Sequence, residues 1–368
     1  MWNQTRVSEV LGIRYPIIQG PFGGGLSTVQ LTAVVSNAGG MGSFGAHHLS
    51  PIQIKETVAA IRGLTAQPFA MNLWIPLSGE ADLRLTQSEF AANVRRLKPY
   101  YDALNLPEPE FLETFGHCFE AQIEAMLEAR PPALSFVFGI PSSEILRALR
   151  QRAIKTMGAA TTVEEACALE EAGVDLIVAS GSDAGGHRPS FLKSAEQSLT
   201  GTFALIPQVV DAVNTPIIAA GGIGDGRGVI AALVLGAEGA QLGTVFLATH
   251  ESGASEAHKA ELVSEAARYT ALTRVFSGRM ARGIRNRFIE EMSSHEVELP
   301  PYPIHNWFTQ SIRRAAAEAG RPEYLSLWAG QCAALIERAP AAEVLATLVE
   351  GTERLLRAPM SRLVRTDS

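Results

Sequence analysis

The chain has 368 residues, with 31 Lys and Arg against 38 Asp and Glu, a formal net charge of −7. That balance argues against a general nucleic-acid binder. Charged residues make up 19% and apolar residues 46%, which excludes global disorder and allows a large core. No run approaches the ~18 continuous apolar residues of a membrane-spanning helix.

Residues 1–12 lack the basic-then-apolar pattern of a secretory leader. Cys118, Cys167 and Cys332 are far apart and odd in number, so they suggest neither a disulfide framework nor a metal pair. A reducing cytoplasm is the expected compartment. Glycine, 33 residues in all, shows no three-residue period. It concentrates in residues 20–45, 181–186 and 221–243. Clustered glycine marks tight turns or close approach of backbone to a ligand.

Short apolar runs predict strands over 16–20, 41–46, 68–74, 133–139, 153–159, 176–181, 216–221 and 239–244. Several are apolar on both faces, as parallel strands covered by helices must be. Thr162 and Glu165 have the spacing of a capping box, and Gly173 closes the helix that follows. Eight strands with crossover helices predict an α/β fold, a (β/α)8 TIM barrel, with a doubly wound open sheet as the alternative.

Two segments break the rhythm. Residues 75–130 contain amphipathic stretches at 88–101 and 118–130 and read as a helical insertion. Residues 253–310, Pro-rich at Pro300, Pro301 and Pro303, read as a smaller helical subdomain. The expected organisation is a barrel over 1–252, that substrate-side subdomain, and helices over 311–368 packing back on the barrel.

Three loops can carry chemistry. Gln19-Gly20-Pro21-Phe22-Gly23-Gly24-Gly25 follows the first strand; its triple glycine would let backbone approach a flat ligand. Ser180-Gly181-Ser182-Asp183-Ala184-Gly185-Gly186-His187 follows the sixth and places a proton-transfer group at the end of a glycine-rich loop. His47 and His48 also follow a strand end. Gly221-Gly222-Ile223-Gly224-Asp225-Gly226, with Gln241-Leu242-Gly243-Thr244, follows strands seven and eight, where such barrels bind phosphate. A plain turn is the alternative for each cluster. The dinucleotide fingerprint, the Walker lysine and the G-x-S-x-G elbow are all missing. Neither His295-Glu296 nor His47-His48 has metal-ligand spacing, so no metal is expected.

Taken together these pieces resemble the FMN-dependent nitronate monooxygenase family, formerly called 2-nitropropane dioxygenases, and its bacterial class I in particular. Further matching pieces are Val35–Ser43, Phe69-Ala70-Met71-Asn72-Leu73, Ser135-Phe136-Val137-Phe138-Gly139, Ser277-Gly278-Arg279-Met280-Ala281-Arg282-Gly283 and Trp328-Ala329-Gly330-Gln331. The resemblance implies an oxidoreductase that binds FMN. In it Asn72 would bond the flavin ring, and Gly20, Pro21 and Phe22 would lie against it. Ser180, Gly185 and Gly186 would approach the cofactor. Gly221, Gly222, Gln241, Leu242, Gly243 and Thr244 would hold it at the phosphate.

His187 matches the family's catalytic base. The implied reaction converts an alkyl nitronate and dioxygen into a carbonyl compound and nitrite. Tyr302 matches a family tyrosine. The chain departs from the pattern at Val137, where histidine is frequent, and at Ser180, where glutamine is usual. Asn306 and Gln310 stand where class I has tyrosine and lysine. Val137, Tyr302 and Asn306 are therefore the candidate substrate residues. The expected partners are a small-molecule nitronate and dioxygen, not nucleic acid or membrane, and a homodimer is an open arrangement. The alternatives are an NAD(P)H-dependent FMN reductase of quinones or enoyl thioesters, and a flavin-binding barrel with little turnover.

Overall fold

The computed structural model describes residues 1–112, 115 and 118–358. Residues 113, 114, 116 and 117 of the predicted insertion, and 359–368 of the predicted tail, lie outside the described residues.

Eleven strands form among the described residues: β1 (Ile17–Gln19), β2 (Gly42–Gly45), β3 (Phe69–Trp74), β4 (Ala133–Val137), β5 (Lys155–Ala160), β6 (Leu176–Ser180), β7 (Gly186–His187), β8 (Ile217–Ala220), β9 (Gly239–Leu242), β10 (Thr270–Thr273) and β11 (Ala281–Ile284). Eight of them make one parallel sheet in the order β1-β9-β8-β6-β5-β4-β3-β2. The ends of that order meet. Met41 N donates to Ile17 O and Gln19 N to Met41 O, each at 2.9 Å. The fold is a (β/α)8 barrel, as the strand pattern predicted, rather than an open sheet.

Alternation along the strands decides what lies inside. Ile18, Ala70, Met157, Val178 and Ile218 share a cluster with Val7 and Leu11 of the helix Arg6–Leu11. Thr5 Oγ1 donates to Glu238 O at 2.7 Å, just before β9. That contact places the helix at the strand N-terminal end and leaves the opposite end for the site. On the outer faces, Ile217, Ala219, Ala240 and Leu242 belong to the large cluster that the surrounding helices share.

Local sequence sets the helix ends. Ser50 and Gln53 form a full capping box before Pro51, which suits a proline at the first helical position. Thr162 realises only half of its predicted box. Its side chain accepts from Glu165 N at 3.2 Å. The Glu165 carboxylate is fully buried and turns elsewhere. It accepts from Thr161 N and Oγ1 at 2.6 and 2.7 Å, and from Phe191 N and Leu192 N at 2.6 and 3.0 Å. A predicted cap residue thereby ties the loop after β7 to the end of β5.

In the 75–130 segment the helix Phe119–Ala129 packs on Pro51–Leu64 through Ile123, Met126, Ile54 and Val58. It serves as the crossover between β3 and β4. The helix Gln87–Ala103 lies on the other side of the site, with Tyr101 donating to Phe308 O at 2.8 Å. Residues 253–310 contain helices and also the antiparallel hairpin β10–β11, which the periodicity did not reveal. The hairpin pairs with β7, Ala281 opposite His187. The helix Ala341–Arg357 returns to the barrel, where Gly226 leaves no room for a Cβ beside Thr352 N. No helix among the described residues is long and apolar enough to cross a membrane.

Candidate active site

The strand C-terminal ends open into a cavity of about 700 Å3. Gly20, Pro21, Phe22, Asn72, Val137, Ser180, Gly185, Gly186, His187, Gly221, Gly222, Gln241, Gly243, Thr244, Tyr302 and Asn306 all border it. Leu242 does not. Its side chain alternates outward and is 1% exposed in the core, while its carbonyl accepts from Gly20 N at 2.8 Å. Predicting a whole tetrapeptide at this strand end overlooked the two-residue period.

The glycine loops are held close by backbone. Phe22 N donates to Ser27 Oγ at 2.9 Å, and Gly45 N to the same oxygen at 3.3 Å. Asp183 accepts from Thr202 N and Oγ1 at 2.6 and 2.8 Å. A Cβ on Gly185 would stand 2.5 Å from Ala329 C, so only glycine lets this loop touch the 328–331 turn. Gly330 N donates to Thr244 Oγ1 at 2.9 Å, which joins that turn to the helix after β9. Gly221 and Gly222 have φ of 110° and 69°, backbone that side chains resist.

His187 is at the centre. Its Nε2 lies 2.8 Å from Ser277 Oγ. Trp74 meets its ring edge-on at 5.0 Å, and Trp328 lies at 5.3 Å. Burial, then the charges of Arg279 and Arg313, push the imidazole down to about 3. It is therefore neutral at physiological pH. Burial pushes the neighbouring Tyr302 phenol up to about 12, so that group stays protonated.

Behind the aromatic wall sits a buried ion pair, Arg279 with Glu80. The guanidinium lies 4.0 Å from the Phe138 ring centre and 4.4 Å from that of Tyr302, within cation–π range. Phe138 has φ of 69°, a left-handed backbone that costs an aromatic residue about 1–3 kcal/mol and recurs at functional sites.

The model of the nitronate monooxygenase family matches residues 4–351. The chain belongs to that family. It is an oxidoreductase, and the activity that defines its family is the oxidation of nitronates. A probable nitronate monooxygenase of Staphylococcus aureus (strain Newman) is 43% identical over 358 residues, covering 97% of this chain and 99% of the relative. A nitroalkane oxidase structure from Streptomyces ansochromogenes superimposes with a TM-score of 0.87 at 33% identity, covering 98% of this chain and 100% of the other. FabK from Thermotoga maritima gives 0.75 at 27% identity, covering 96% and 97%.

Val137, Ser180, Asn306 and Gln310, the positions expected to depart from the family pattern, all border the cavity. Sequence reasoning gave no role to Ser277, Arg279, Trp74, Phe138 or Arg313. Ser277 is 90 residues from His187, and only the pairing of β11 with β7 brings them together.

Proposed function

We propose that the protein is an FMN-dependent nitronate monooxygenase that converts alkyl nitronates and dioxygen to carbonyl compounds and nitrite, with His187 as base. The observation that carries this reading is His187, held by Ser277 on the wall of the cavity beside its glycine-lined floor.

The residues present fit FMN. Asn72 Nδ2 donates to Ser135 Oγ at 2.9 Å, which leaves its Oδ1 for a ring N–H. Gly20, Pro21 and Phe22 offer a flat backbone face. At the far end, the N–H groups of Gly222 and Gly243 have no acceptor among the described residues. Such orphan donors suit phosphate oxygens. The neighbouring helix Gly226–Val234 is a poorer candidate, because the Asp225 side chain already caps it. When bound, FMN supplies the redox chemistry that couples a nitronate to dioxygen.

The chain's own residues manage the proton and the charge. Arg279 O can only accept, and it lies 3.1 Å from Ser277 Oγ. With the Ser277 proton directed there, His187 Nε2–H donates to Ser277, and Nδ1 is the basic nitrogen. Nδ1 has no hydrogen-bond partner among the described residues, and its residue borders the cavity. From a neutral nitroalkane it would take the proton of the carbon that bears the nitro group and so form the nitronate. Trp74, Trp328 and Tyr302 exclude water around that transfer.

Anaerobic mixing tests the reading. A nitronate, without NAD(P)H, is expected to reduce the flavin of the purified protein. Reduction by NADH or NADPH, with none by propionate-3-nitronate or simple alkyl nitronates, would overturn it in favour of an FMN reductase.

A further inference from the structure

We propose that Arg279, held by Glu80, is a positioning residue for the proton transfer: its guanidinium sets the rings of Trp74 and Tyr302 against His187. This rests on the reading of His187 as base given above.

Arg279 stands behind the cavity wall and does not border the cavity itself. Four separate segments converge on its side chain. Trp74 ends β3, Phe138 follows β4, Tyr302 belongs to the Pro-rich segment, and Glu80 begins a short turn in the 75–130 segment. The guanidinium carbon lies 4.0 Å from the ring centre of Phe138, 4.4 Å from that of Tyr302 and 5.7 Å from that of Trp74, all within the ~6 Å reach of cation–π attraction. Two of these rings also meet His187, Trp74 at 5.0 Å and Tyr302 at 6.5 Å. Phe138 meets Trp74 edge-on at 4.9 Å.

The main chain of the same residue holds the hydroxyl on the imidazole. Arg279 N donates to Ser277 Oγ at 3.3 Å, and Arg279 O accepts from it at 3.1 Å. That oxygen is the one beside His187 Nε2. Arg279 thus reaches His187 by three routes, two rings and one hydroxyl.

Stability alone does not call for a charge at this place. The side chains of Arg279 and Glu80 are only 10% and 11% exposed, and the buried Nη1 of Arg279 makes no hydrogen bond among the described residues. A buried pair of this kind is often no more stabilising than apolar side chains of similar volume. What the pair adds is direction. A guanidinium is planar and donates only along its edge, so a carboxylate fixed at that edge fixes the plane that the rings lie against. Glu80 is fixed in turn, because its second oxygen accepts from Leu77 N at 2.8 Å. Apolar side chains would fill the same space and leave the rings free to tilt.

A double variant separates position from stability. Glu80→Leu with Arg279→Met replaces the pair by apolar groups of similar size. Its melting temperature is expected to return close to that of wild type, above that of Glu80→Gln alone. Its kcat on a neutral nitroalkane should nonetheless fall about ten- to hundred-fold, the scale of a small misplacement of a reacting group. Oxidation of the preformed nitronate, from which no proton is removed, should be little changed. Arg279→Lys keeps the charge and the Glu80 partner but not the plane. It should lose most of the same rate, which keeps the proposal open to test if the double variant does not fold. A wild-type nitroalkane rate in the folded double variant, or in Arg279→Lys, would overturn the proposal. So would equal loss on nitroalkane and nitronate, since the pair would then support the fold in general. His187→Asn, measured alongside, keeps the two readings apart. Equal loss on both substrates in that variant would remove the proton-transfer reading, and this proposal with it. Selective loss of the nitroalkane in His187→Asn alone would leave the base standing and remove Arg279 as its positioning residue. The flavin spectrum of each variant establishes that it is folded.

Discussion

His187 Nε2 and Ser277 Oγ lie 2.8 Å apart, joined across the pairing of β7 with the hairpin. In the proposed mechanism Ser277 sets both the ring's orientation and the nitrogen that acts. Ser277→Ala is expected to lower kcat on a neutral nitroalkane about ten-fold, with KM and the flavin spectrum unchanged. Ser277→Thr, which keeps the hydroxyl, should restore most of it. A KM effect without a kcat effect would assign Ser277 to binding instead.

The proposed proton-transfer role separates two substrates. His187→Asn is expected to lower activity on the neutral nitroalkane by about 10²–10⁴-fold and to leave oxidation of the preformed nitronate largely intact. Equal loss on both would make His187 a binding residue.

The depressed His187 predicts an unusual pH profile. An imidazole held at about 3 is already neutral through the physiological range. The free enzyme's kcat/KM for a neutral nitroalkane should therefore show no inflection attributable to histidine between about pH 5 and 8. Titration near the ordinary 6.5 would mean that bound cofactor has cancelled the effects of burial and of the two arginines.

The barrel was legible because several of its strands are apolar on both faces and several run into glycine; all eight fall where the pattern put them. The cavity floor was legible for the same reason, since glycine clusters mark the strand ends. The hairpin was not. Gly186–His187 is too short to show a period, and β10 is half-exposed along most of its length. Arg313 reads in sequence as one more basic residue beside Arg314; only the three-dimensional arrangement shows that it borders the cavity. Glu165 looked like a helix cap because its spacing is right, yet burial gave its carboxylate four other donors.

The Glu80–Arg279 pair fastens the start of the insertion to the aromatic wall. Glu80→Gln leaves a buried guanidinium without its charge partner, which typically costs about 3–5 kcal/mol. The melting temperature should fall by several degrees. Because Arg279 lies against Phe138 and Tyr302, tryptophan fluorescence from Trp74 beside them should also change. An unaltered melting temperature would show that the pair contributes little.

Gly185→Ala places a Cβ against Ala329 and Gly330 backbone, which cannot yield as a flexible side chain would. The 181–187 loop must then lift from the 328–331 turn, moving Gly186 and His187 with it. The expected result is a folded protein with weakened flavin retention on gel filtration. Normal retention would mean that the turn moves instead.

Acid should destabilise the fold in a definite window. Burial holds His258 and His305 at about 4, below the ordinary 6.5. His305 donates from Nε2 to Val275 O at 2.7 Å, and its buried Nδ1 has no partner, so the folded state keeps it neutral. Unfolding lets both rings bind protons below pH 6.5. Their contribution is therefore full above 6.5 and is lost as pH falls toward 4, amounting to about 3 kcal/mol each by linkage. Chemical denaturation across that range should show stability falling with pH. His305→Gln should reduce the slope by about one proton, whatever it does to stability at neutral pH. An unchanged slope would mean that His305 protonates in the folded state as readily as in the unfolded chain.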